Sequence, residues 1–312
     1  MSNFLDDVWR GLSTSPKQLD SRYFYDETGD EIFQEIMACP EYYLTNCELE
    51  IFSDQSGKLA EDLLADLHDF DVVELGAGDC TKSIYLLRAL LERKALFTYY
   101  PIDISAHVIS QLSIDLPAKL PGLGMQGLNG DHFEMLEKLR KISQKPKLVL
   151  FLGSSIGNLP IADAPGFYKK MKEYLAPGDL VLTGFDLKKE PAIILAAYND
   201  KAGITRRFNL NLLTRINREL GADFDITQFA HKPAYNEQTG SCESYLESLN
   251  EQQVHIEAKG DVSFKAGERI RMEVSQKYTV PQTDEIAANA GFRPVRKYYD
   301  TRQWFMDALW RC

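Results

Sequence analysis

The middle of the chain alternates short apolar runs with longer stretches of helical periodicity. Residues 70–75 form an apolar run that ends in the turn Gly76-Ala77-Gly78. Apolar positions then recur at helical spacing over residues 84–91. Further strand-like runs follow at 97–104, 147–152 and 179–185, separated by helical stretches near 107–112 and 166–175. Because strands alternate with helices, the sequence predicts an α/β fold with a doubly wound, mainly parallel sheet.

The C-terminal end has a different pattern. A helix over 283–290 is predicted to stop at Gly291, and two strand-like segments follow at 293–299 and 303–309. A short turn joins them, so the sequence predicts a hairpin at an antiparallel edge of the sheet.

Two regions fall outside the alternation and predict a second, smaller domain. Residues 1–55 are helical and rich in tyrosine, whereas 189–277 begin with helices and end in alternating segments. We therefore expect a cofactor-binding domain made of 56–188 and 278–312. The substrate-binding domain would consist of 1–55 and 189–277.

Composition narrows the classes of function. The 312 residues are 44% hydrophobic and carry a formal net charge of −11 without basic clusters, which argues against a protein that binds nucleic acid. The five cysteines are odd in number and scattered, no leader or bilayer-length apolar run is present, and the five histidines are dispersed. We expect a cytoplasmic, metal-free monomer that acts on a small molecule and needs neither nucleic acid nor a membrane.

The turn after the first strand is a candidate nucleoside site. Glycine tolerates positive φ and lacks Cβ, so the backbone of Gly76 and Gly78 can approach a ligand closely. The third glycine of the dinucleotide fingerprint is missing, which disfavours a pyrophosphate; a plain strand-to-helix turn is the alternative.

Acidic residues follow the next two strands. Asp103 could accept hydrogen bonds from two ribose hydroxyls, in S-adenosylmethionine or in NAD alike, or could cap a helix, a role that Ser105 could fill instead. Asp131 could bind an adenine amino group or be a surface turn residue, with His132 flanking the pocket. Together with Gly76 and the turn at 175–179, these residues look like a class I, Rossmann-like methyltransferase.

Four segments carry a more specific resemblance. They are Tyr23-Phe24-Tyr25-Asp26-Glu27-Thr28-Gly29, Pro40-Glu41-Tyr42-Tyr43-Leu44-Thr45, Phe151-Leu152-Gly153-Ser154-Ser155-Ile156-Gly157-Asn158-Leu159 and Met272-Glu273-Val274-Ser275. In this order and spacing, over nearly the whole chain, they resemble the L-histidine Nα-methyltransferases of ergothioneine biosynthesis. The resemblance implies trimethylation of the α-amine of free histidine to hercynine, with S-adenosyl-L-methionine as the cofactor.

The resemblance also implies roles for individual residues. Gly76, Lys82, Asp103 and Asp131 match positions that hold S-adenosylmethionine, and we expect His132, which flanks the pocket, and Gly153 to line the same site. Asn158 and Tyr198 match the positions that bind the substrate carboxylate, and Glu273 with Ser275 those that bind the imidazole. Tyr25 and Tyr42 match tyrosines near the substrate amine and side chain, and Tyr25 is the catalytic candidate. An amide and a hydroxyl can bind a carboxylate without a permanent positive charge. Taken singly, the tyrosines could be core residues, Glu273 a solvent-facing charge and Asn158 a turn residue.

Departures from the family leave the acceptor open. Ser244 stands where the family usually has Met on the wall of the side-chain pocket, so another amino acid or a histidine derivative is an alternative substrate. A nicotinamide-dependent oxidoreductase and a non-catalytic S-adenosylmethionine-binding regulator are further alternatives. For the methyltransferase, we expect in-line attack by an uncharged amine, with no strong dedicated base evident in the sequence.

Overall fold

The computed structural model describes residues 4–312. Ten α-helices lie in this range: α1 (Phe4–Ser13), α2 (Glu27–Ala38), α3 (Tyr43–Leu64), α4 (Ser83–Glu92), α5 (Ala106–Lys119), α6 (His132–Ile142), α7 (Ala164–Lys172), α8 (Pro191–Ala197), α9 (Ile204–Leu220) and α10 (Val280–Ala290). The same range holds thirteen strands: β1 (Lys17–Gln18), β2 (Asp69–Leu75), β3 (Leu96–Asp103), β4 (Leu128–Asn129), β5 (Lys147–Phe151), β6 (Leu180–Asp186), β7 (Phe229–Asn236), β8 (Ser241–Ser248), β9 (Gln252–Ile256), β10 (Gly260–Phe264), β11 (Arg269–Gln276), β12 (Arg293–Tyr299) and β13 (Phe305–Arg311).

The chain forms two compact units. The larger contains Leu44–Lys188 and Tyr278–Cys312, and the smaller contains the described residues through Tyr43 together with Lys189–Lys277. The first boundary therefore falls after Tyr43 and not after residue 55, because the single helix α3 begins at Tyr43 and runs without a break. Residues 1–3 of the expected N-terminal segment lie outside the described residues.

The larger unit is built on a seven-stranded sheet in the order β12-β13-β6-β5-β2-β3-β4. Neighbouring strands from β6 to β4 are parallel, whereas β13 is antiparallel to both β6 and β12. The predicted doubly wound sheet with an antiparallel hairpin is confirmed. The last strand begins at Phe305 and not at 303, because Asp300 Oδ1 accepts the N–H groups of Trp304 and Phe305 (both 2.7 Å) and holds the preceding turn.

Burial explains why the central strands are mainly apolar. All five residues of β5 and all seven of β6 are buried, as expected for strands covered on both faces. Phe185 packs against Tyr278 and Trp310 in this core, at ring-centroid distances of 5.1 and 5.6 Å. Burial of one such side chain stabilises the fold by roughly 1.5–3 kcal/mol.

The smaller unit contains a four-stranded sheet in the order β1-β11-β8-β7. Side chains of β8 alternate strictly between buried and half-buried, so one face of the strand is covered. Towards Leu246 and Ile270 that face is apolar and joins a core with α9 residues such as Phe208 and Leu212. Because Leu246 and Ser244 share the face, the same surface becomes polar further along β8. No helix within residues 4–312 is both long and apolar enough to cross a membrane.

Candidate cofactor and substrate sites

The glycine turn lies at the carboxyl end of β2. Gly76 and Gly78 have φ of +71° and +52°, a region that L-residues with a side chain rarely adopt. The N–H groups of Gly76 and Ala77 donate to the carbonyl of Ile102, at 2.9 and 3.2 Å. The turn is thereby fixed at the end of β3, with both glycines exposed.

A buried polar group lies directly beneath this turn. The hydroxyl of Tyr99 donates to Glu74 Oε2 (2.5 Å) and is 2.9 Å from Cys80 Sγ. Burial raises the pKa of Glu74 to about 7, although Tyr99 and Ser83 act in the opposite direction. We infer that this cluster braces the glycine turn from inside the sheet. No sequence pattern distinguishes Glu74 from the other residues of β2.

Asp103 joins two neighbouring backbone segments. Its carboxylate accepts the N–H of Gly78 (3.2 Å) with one oxygen and the N–H of Ser105 (2.9 Å) with the other. Ser105 is the residue that caps α5, accepting the N–H of Val108 at 3.3 Å. Asp103 is therefore not the helix cap, and its carboxylate lies beside the glycine turn.

Asp131 and His132 lie where α6 begins. Asp131 caps this helix by accepting the N–H groups of Phe133 and Glu134, at 2.9 and 3.4 Å. Burial lowers the pKa of His132, although Asp131 and Asp103 act to raise it. A Cβ atom added to Gly76 would lie 3.8 Å from His132 Nε2, so two of the predicted cofactor positions are adjacent.

Lys82 and Gly153 are brought together by Glu48, a fully buried residue of α3. Both carboxylate oxygens of Glu48 accept the N–H of Gly153 (2.9 Å each), and Glu48 also forms an ion pair with Lys82. Burial alone would lower the pKa of Lys82, but the Glu48 carboxylate raises it above its ordinary value. A Cβ atom at Gly184 would overlap Glu48 Oε1, so the absence of a side chain there makes room for the carboxylate.

The ion pair leads to a prediction for Glu48. Replacement by alanine leaves the Lys82 ammonium without its buried carboxylate and releases the N–H of Gly153. We expect the KM for S-adenosylmethionine to rise by about 10-fold or more, with a lower Tm, since removing one partner of a largely buried ion pair typically costs several kcal/mol. Steady-state kinetics and thermal unfolding test this. Glu50→Ala, two residues along α3, removes only an acceptor of the Thr301 N–H (2.7 Å) and is the control; equal effects of both variants would contradict the prediction.

Asn158 is the last residue of a 3₁₀ helix over Ser155–Asn158 and is exposed. Ser154 adopts a left-handed conformation (φ +55°), and its Oγ accepts the N–H of Asp186 at 3.1 Å. The hydroxyl of Tyr278 donates to the carbonyl of Ile156 (3.1 Å). These bonds fix the segment that presents Asn158.

The smaller unit gathers a polar cluster around Tyr198. The hydroxyl oxygens of Tyr198 and Ser275 are 2.6 Å apart, and Lys277 Nζ donates to both at 2.8 Å. The ring of Tyr42 meets that of Tyr198 edge-on, at a centroid distance of 6.1 Å. Thus three predicted substrate residues lie together, with a lysine that no sequence motif indicates.

Glu273 and Ser244 are cross-strand partners on β11 and β8. Residues paired in this way project from the same face, with Cβ atoms about 5 Å apart. Ser275 lies two residues beyond Glu273 and so shares that face. Burial raises the pKa of Glu273 to about 7, against the lowering effect of the Lys277 charge. The predicted pair of Glu273 and Ser275 is therefore accompanied by the buried Ser244.

The two remaining tyrosines differ in environment. Tyr25 is 36% exposed, and its ring packs edge-on against Phe33 (5.6 Å) and Phe208 (5.8 Å). Burial raises the pKa of Tyr42 well above its ordinary value; Tyr198 and Glu273 add to the shift, and Lys277 opposes it. The Tyr42 hydroxyl is therefore protonated at neutral pH.

Strand order and site together define the class of protein. The sheet is parallel except for β13, the antiparallel strand between β6 and β12, and a glycine turn follows β2. One acid ends β3 and another follows β4. This is the architecture of class I S-adenosylmethionine-dependent methyltransferases. Residues 4–312 match the family described as histidine-specific, SAM-dependent methyltransferases. The chain belongs to this family, and it is an S-adenosylmethionine-dependent N-methyltransferase, as predicted.

Individual relatives agree with the family assignment. The chain is 36% identical over 295 residues to histidine N-alpha-methyltransferase of Mycolicibacterium smegmatis, covering 94% of this chain and 90% of the relative. It is 30% identical over 288 residues to ergothioneine biosynthesis protein 1 of Neurospora crassa, covering 91% of this chain and 32% of that larger protein. A 4-dimethylallyltryptophan N-methyltransferase of Epichloe festucae var. lolii is 24% identical over 313 residues, covering 93% and 90% of the two chains.

Proposed function

We propose that this protein transfers methyl groups from S-adenosylmethionine to the α-amine of free L-histidine, three times in succession, and so produces hercynine for ergothioneine biosynthesis. The observation that carries the proposal is the polar cluster of the smaller unit. Glu273, Ser275, Tyr198 and Tyr42 lie together there, and they offer hydrogen-bonding groups for both the imidazole and the carboxylate of an amino acid.

The larger unit fits the cofactor. The exposed turn at Gly76 lets backbone approach the nucleoside, Asp103 would accept the ribose hydroxyls, and Asp131 would accept the adenine amino group. We assign His132, Lys82 and Gly153 to the same site, the last two through their common partner Glu48. When bound, S-adenosylmethionine supplies an electrophilic methyl group whose bond to sulfur breaks as the new nitrogen–carbon bond forms.

The smaller unit would hold the acceptor. Glu273 would accept the imidazole N–H, Ser275 would complement the other ring nitrogen, and Tyr198 would bind the carboxylate. The family resemblance assigns Asn158, a residue of the larger unit, to the carboxylate as well. Tyr42 contributes a protonated hydroxyl and cannot serve as a base near pH 7. Tyr25 would orient the amine, whose proton leaves to water or solvent. The ring faces of Tyr25 and Tyr42 would stabilise the positive charge of the methylated amine by about 0.5–2 kcal/mol.

Ser244 favours one alternative within the same chemistry. It is buried directly beside Glu273 and is smaller than the methionine that the family usually carries there. A pocket with this wall would accept a larger side chain or a histidine derivative. The second candidate is therefore methylation of another amino acid.

Mass spectrometry distinguishes the two candidates. Histidine, tryptophan and tyrosine are each incubated with the protein and methyl-labelled S-adenosylmethionine. We expect histidine to gain three labelled methyl groups and to react fastest. Faster turnover of tryptophan or tyrosine would contradict the assignment of histidine as the substrate. Binding of NAD(H) in calorimetry, without methyl transfer, would contradict the assignment of a methyl-transfer reaction.

The compartment, the partners and the oligomeric state of the protein can also be proposed. We propose a cytoplasmic enzyme, because all five cysteines are free thiols. The net charge of −11 supports a small-molecule acceptor and no nucleic-acid partner. We further propose a monomer, which light scattering at several protein concentrations would check.

A further inference from the structure

Lys277 is a fully buried lysine that none of the roles above requires. Its Nζ lies 2.8 Å from Tyr198 Oη and 2.8 Å from Ser275 Oγ, and 4.5 Å from the centroid of the Tyr198 ring. Lysine is seldom fully buried, because desolvation of an ammonium costs several kcal/mol unless anions or dipoles compensate it. Its position therefore calls for a reason.

The backbone around Lys277 is anchored on both sides. The N–H of Lys277 donates to the carbonyl of Gly240 (2.7 Å). The side chain of Gln276 donates to the carbonyls of Thr239 (2.6 Å) and Lys277 (2.9 Å). Residues 239 and 240 form the turn between β7 and β8, so the ammonium is held in a fixed position relative to the sheet.

Hydrogen counting shows what the ammonium imposes on its neighbours. An ammonium can only donate, so the oxygens of Tyr198 and Ser275 both accept from Lys277. The 2.6 Å contact between these two oxygens uses one of their two hydroxyl hydrogens. The other hydroxyl hydrogen must point away from the ammonium. Lys277 thus sets the direction in which this pair can donate.

We propose that Lys277 is a positioning residue that recognises the α-carboxylate of the acceptor through Tyr198. It supplies a positive charge behind the Tyr198 hydroxyl, and Ser275 accepts a second hydrogen bond from the ammonium and holds it in place. The inference rests on the proposed function, because it takes the acceptor to be a free amino acid. It also revises the expectation that the carboxylate is bound without a permanent positive charge.

A ligand pair that differs only in the carboxylate tests this role. Binding of histidine and of histamine is measured by calorimetry, with S-adenosylhomocysteine present at saturation. In Lys277→Met, we expect the Kd for histidine to rise by about 30-fold and that for histamine by less than about 3-fold, because loss of one partner of a buried charged contact weakens only the ligand that carries the other. A merely structural role would weaken both ligands equally, and that result would overturn the proposal.

Further variants keep the test decisive. Lys277→Gln retains a donor without the charge and replaces the methionine variant if thermal unfolding shows that the latter does not fold. Tyr198→Phe combined with Lys277→Gln should weaken histidine binding by less than the product of the two single effects, since Lys277 acts through that hydroxyl. If the double variant weakens histidine binding by the full product of the two single effects, Lys277 does not act through the Tyr198 hydroxyl. Lys17→Met removes a lysine of the same sheet, 2.5 Å from Glu268, and should leave both Kd values unchanged.

The test also separates this inference from the substrate assignment. If the wild-type protein methylates a different amino acid, the comparison uses that amino acid and its decarboxylated amine. If the Lys277 variant loses affinity only for the carboxylated ligand, the role of Lys277 in carboxylate recognition is supported even though histidine is not the substrate. An equal loss of affinity for both ligands contradicts this role, whichever amino acid is methylated.

Discussion

Glu273→Gln is expected to lower kcat/KM for histidine by about 50- to 100-fold at pH 8 and to leave the KM for S-adenosylmethionine within about twofold. The variant replaces a carboxylate acceptor by an amide of the same shape, and a hydrogen bond to a charged group contributes about 1.5–3 kcal/mol. Steady-state kinetics with each substrate varied in turn measures both values.

The pH dependence gives a second expectation for the same variant. Burial raises the pKa of Glu273 to about 7, with Lys277 acting in the opposite direction. Below pH 7 the side chain is protonated and presents a hydroxyl; above it, the carboxylate can accept the imidazole N–H. The wild-type kcat/KM should therefore rise through pH 7 more steeply than that of Glu273→Gln, which keeps only the rise due to the substrate. The imidazole and amine of histidine titrate identically in both assays, so the ratio of the two profiles isolates Glu273.

A neighbouring carboxylate provides the matched control. Glu243 lies one residue from Ser244 on β8 and therefore projects from the opposite face, where it accepts the hydroxyl of Ser241 (3.0 Å). Glu243→Gln should leave the histidine profile unchanged. If Glu273→Gln has the wild-type kcat/KM and an unaltered rise near pH 7, Glu273 does not bind the imidazole.

Ionisation of Glu273 also links to stability in the ligand-free protein. The folded-state pKa of about 7 lies above the ordinary value of 4.5. As the pH rises from about 5 to 7, the unfolded chain loses this proton before the folded chain does, so the free energy of unfolding falls. Glu74 has a pKa of about 7 as well and acts in the same direction. The pH slope of stability in this window should accordingly be reduced, and not abolished, in Glu273→Gln.

The parallel sheet and the glycine turn could be predicted because their signals are local. Apolar runs such as 147–152 identify strands buried on both faces, and the turn at Gly76 follows directly after such a run. Asp103 was found by the same logic, since it ends a strand beside that turn. The resemblance then added Tyr198, Glu273 and Ser275, which no local pattern singles out.

Glu48 and Lys277 escaped prediction for the opposite reason. Glu48 contacts Gly153 across 105 positions of sequence, and Lys277 contacts Tyr198 across 79. Neither residue stands in a motif, and a charged residue in a helix or strand is usually solvated. Only the folded structure reveals these two residues, because it shows that both charged side chains are buried and that Gly184 leaves space for the Glu48 carboxylate. The unit boundary after Tyr43 was missed similarly, because helical periodicity does not show where α3 begins.

Asp103→Ala is expected to weaken binding of S-adenosylhomocysteine by about 100-fold or more. A carboxylate has roughly four acceptor positions, and the N–H groups of Gly78 and Ser105 use two of them. The remaining capacity matches the two ribose hydroxyls. Two charge-assisted hydrogen bonds at about 1.5–3 kcal/mol each account for the expected loss, which calorimetric titration would measure.

Asp103→Ala also removes the acceptor of the Gly78 and Ser105 N–H groups and so lowers stability. The effect on stability can be separated from the effect on ligand binding. Ser105→Ala removes the cap of α5 and should lower stability by about 1 kcal/mol while leaving the affinity for S-adenosylhomocysteine within about twofold. A cofactor product that lacks the ribose 2′-hydroxyl completes the comparison. The wild-type protein should bind it at least about 10-fold more weakly than the intact product, whereas Asp103→Ala should bind both alike because the partner of that hydroxyl is already gone. If Asp103→Ala still discriminates between the two ligands, the carboxylate braces the Gly78 turn and another group holds the ribose.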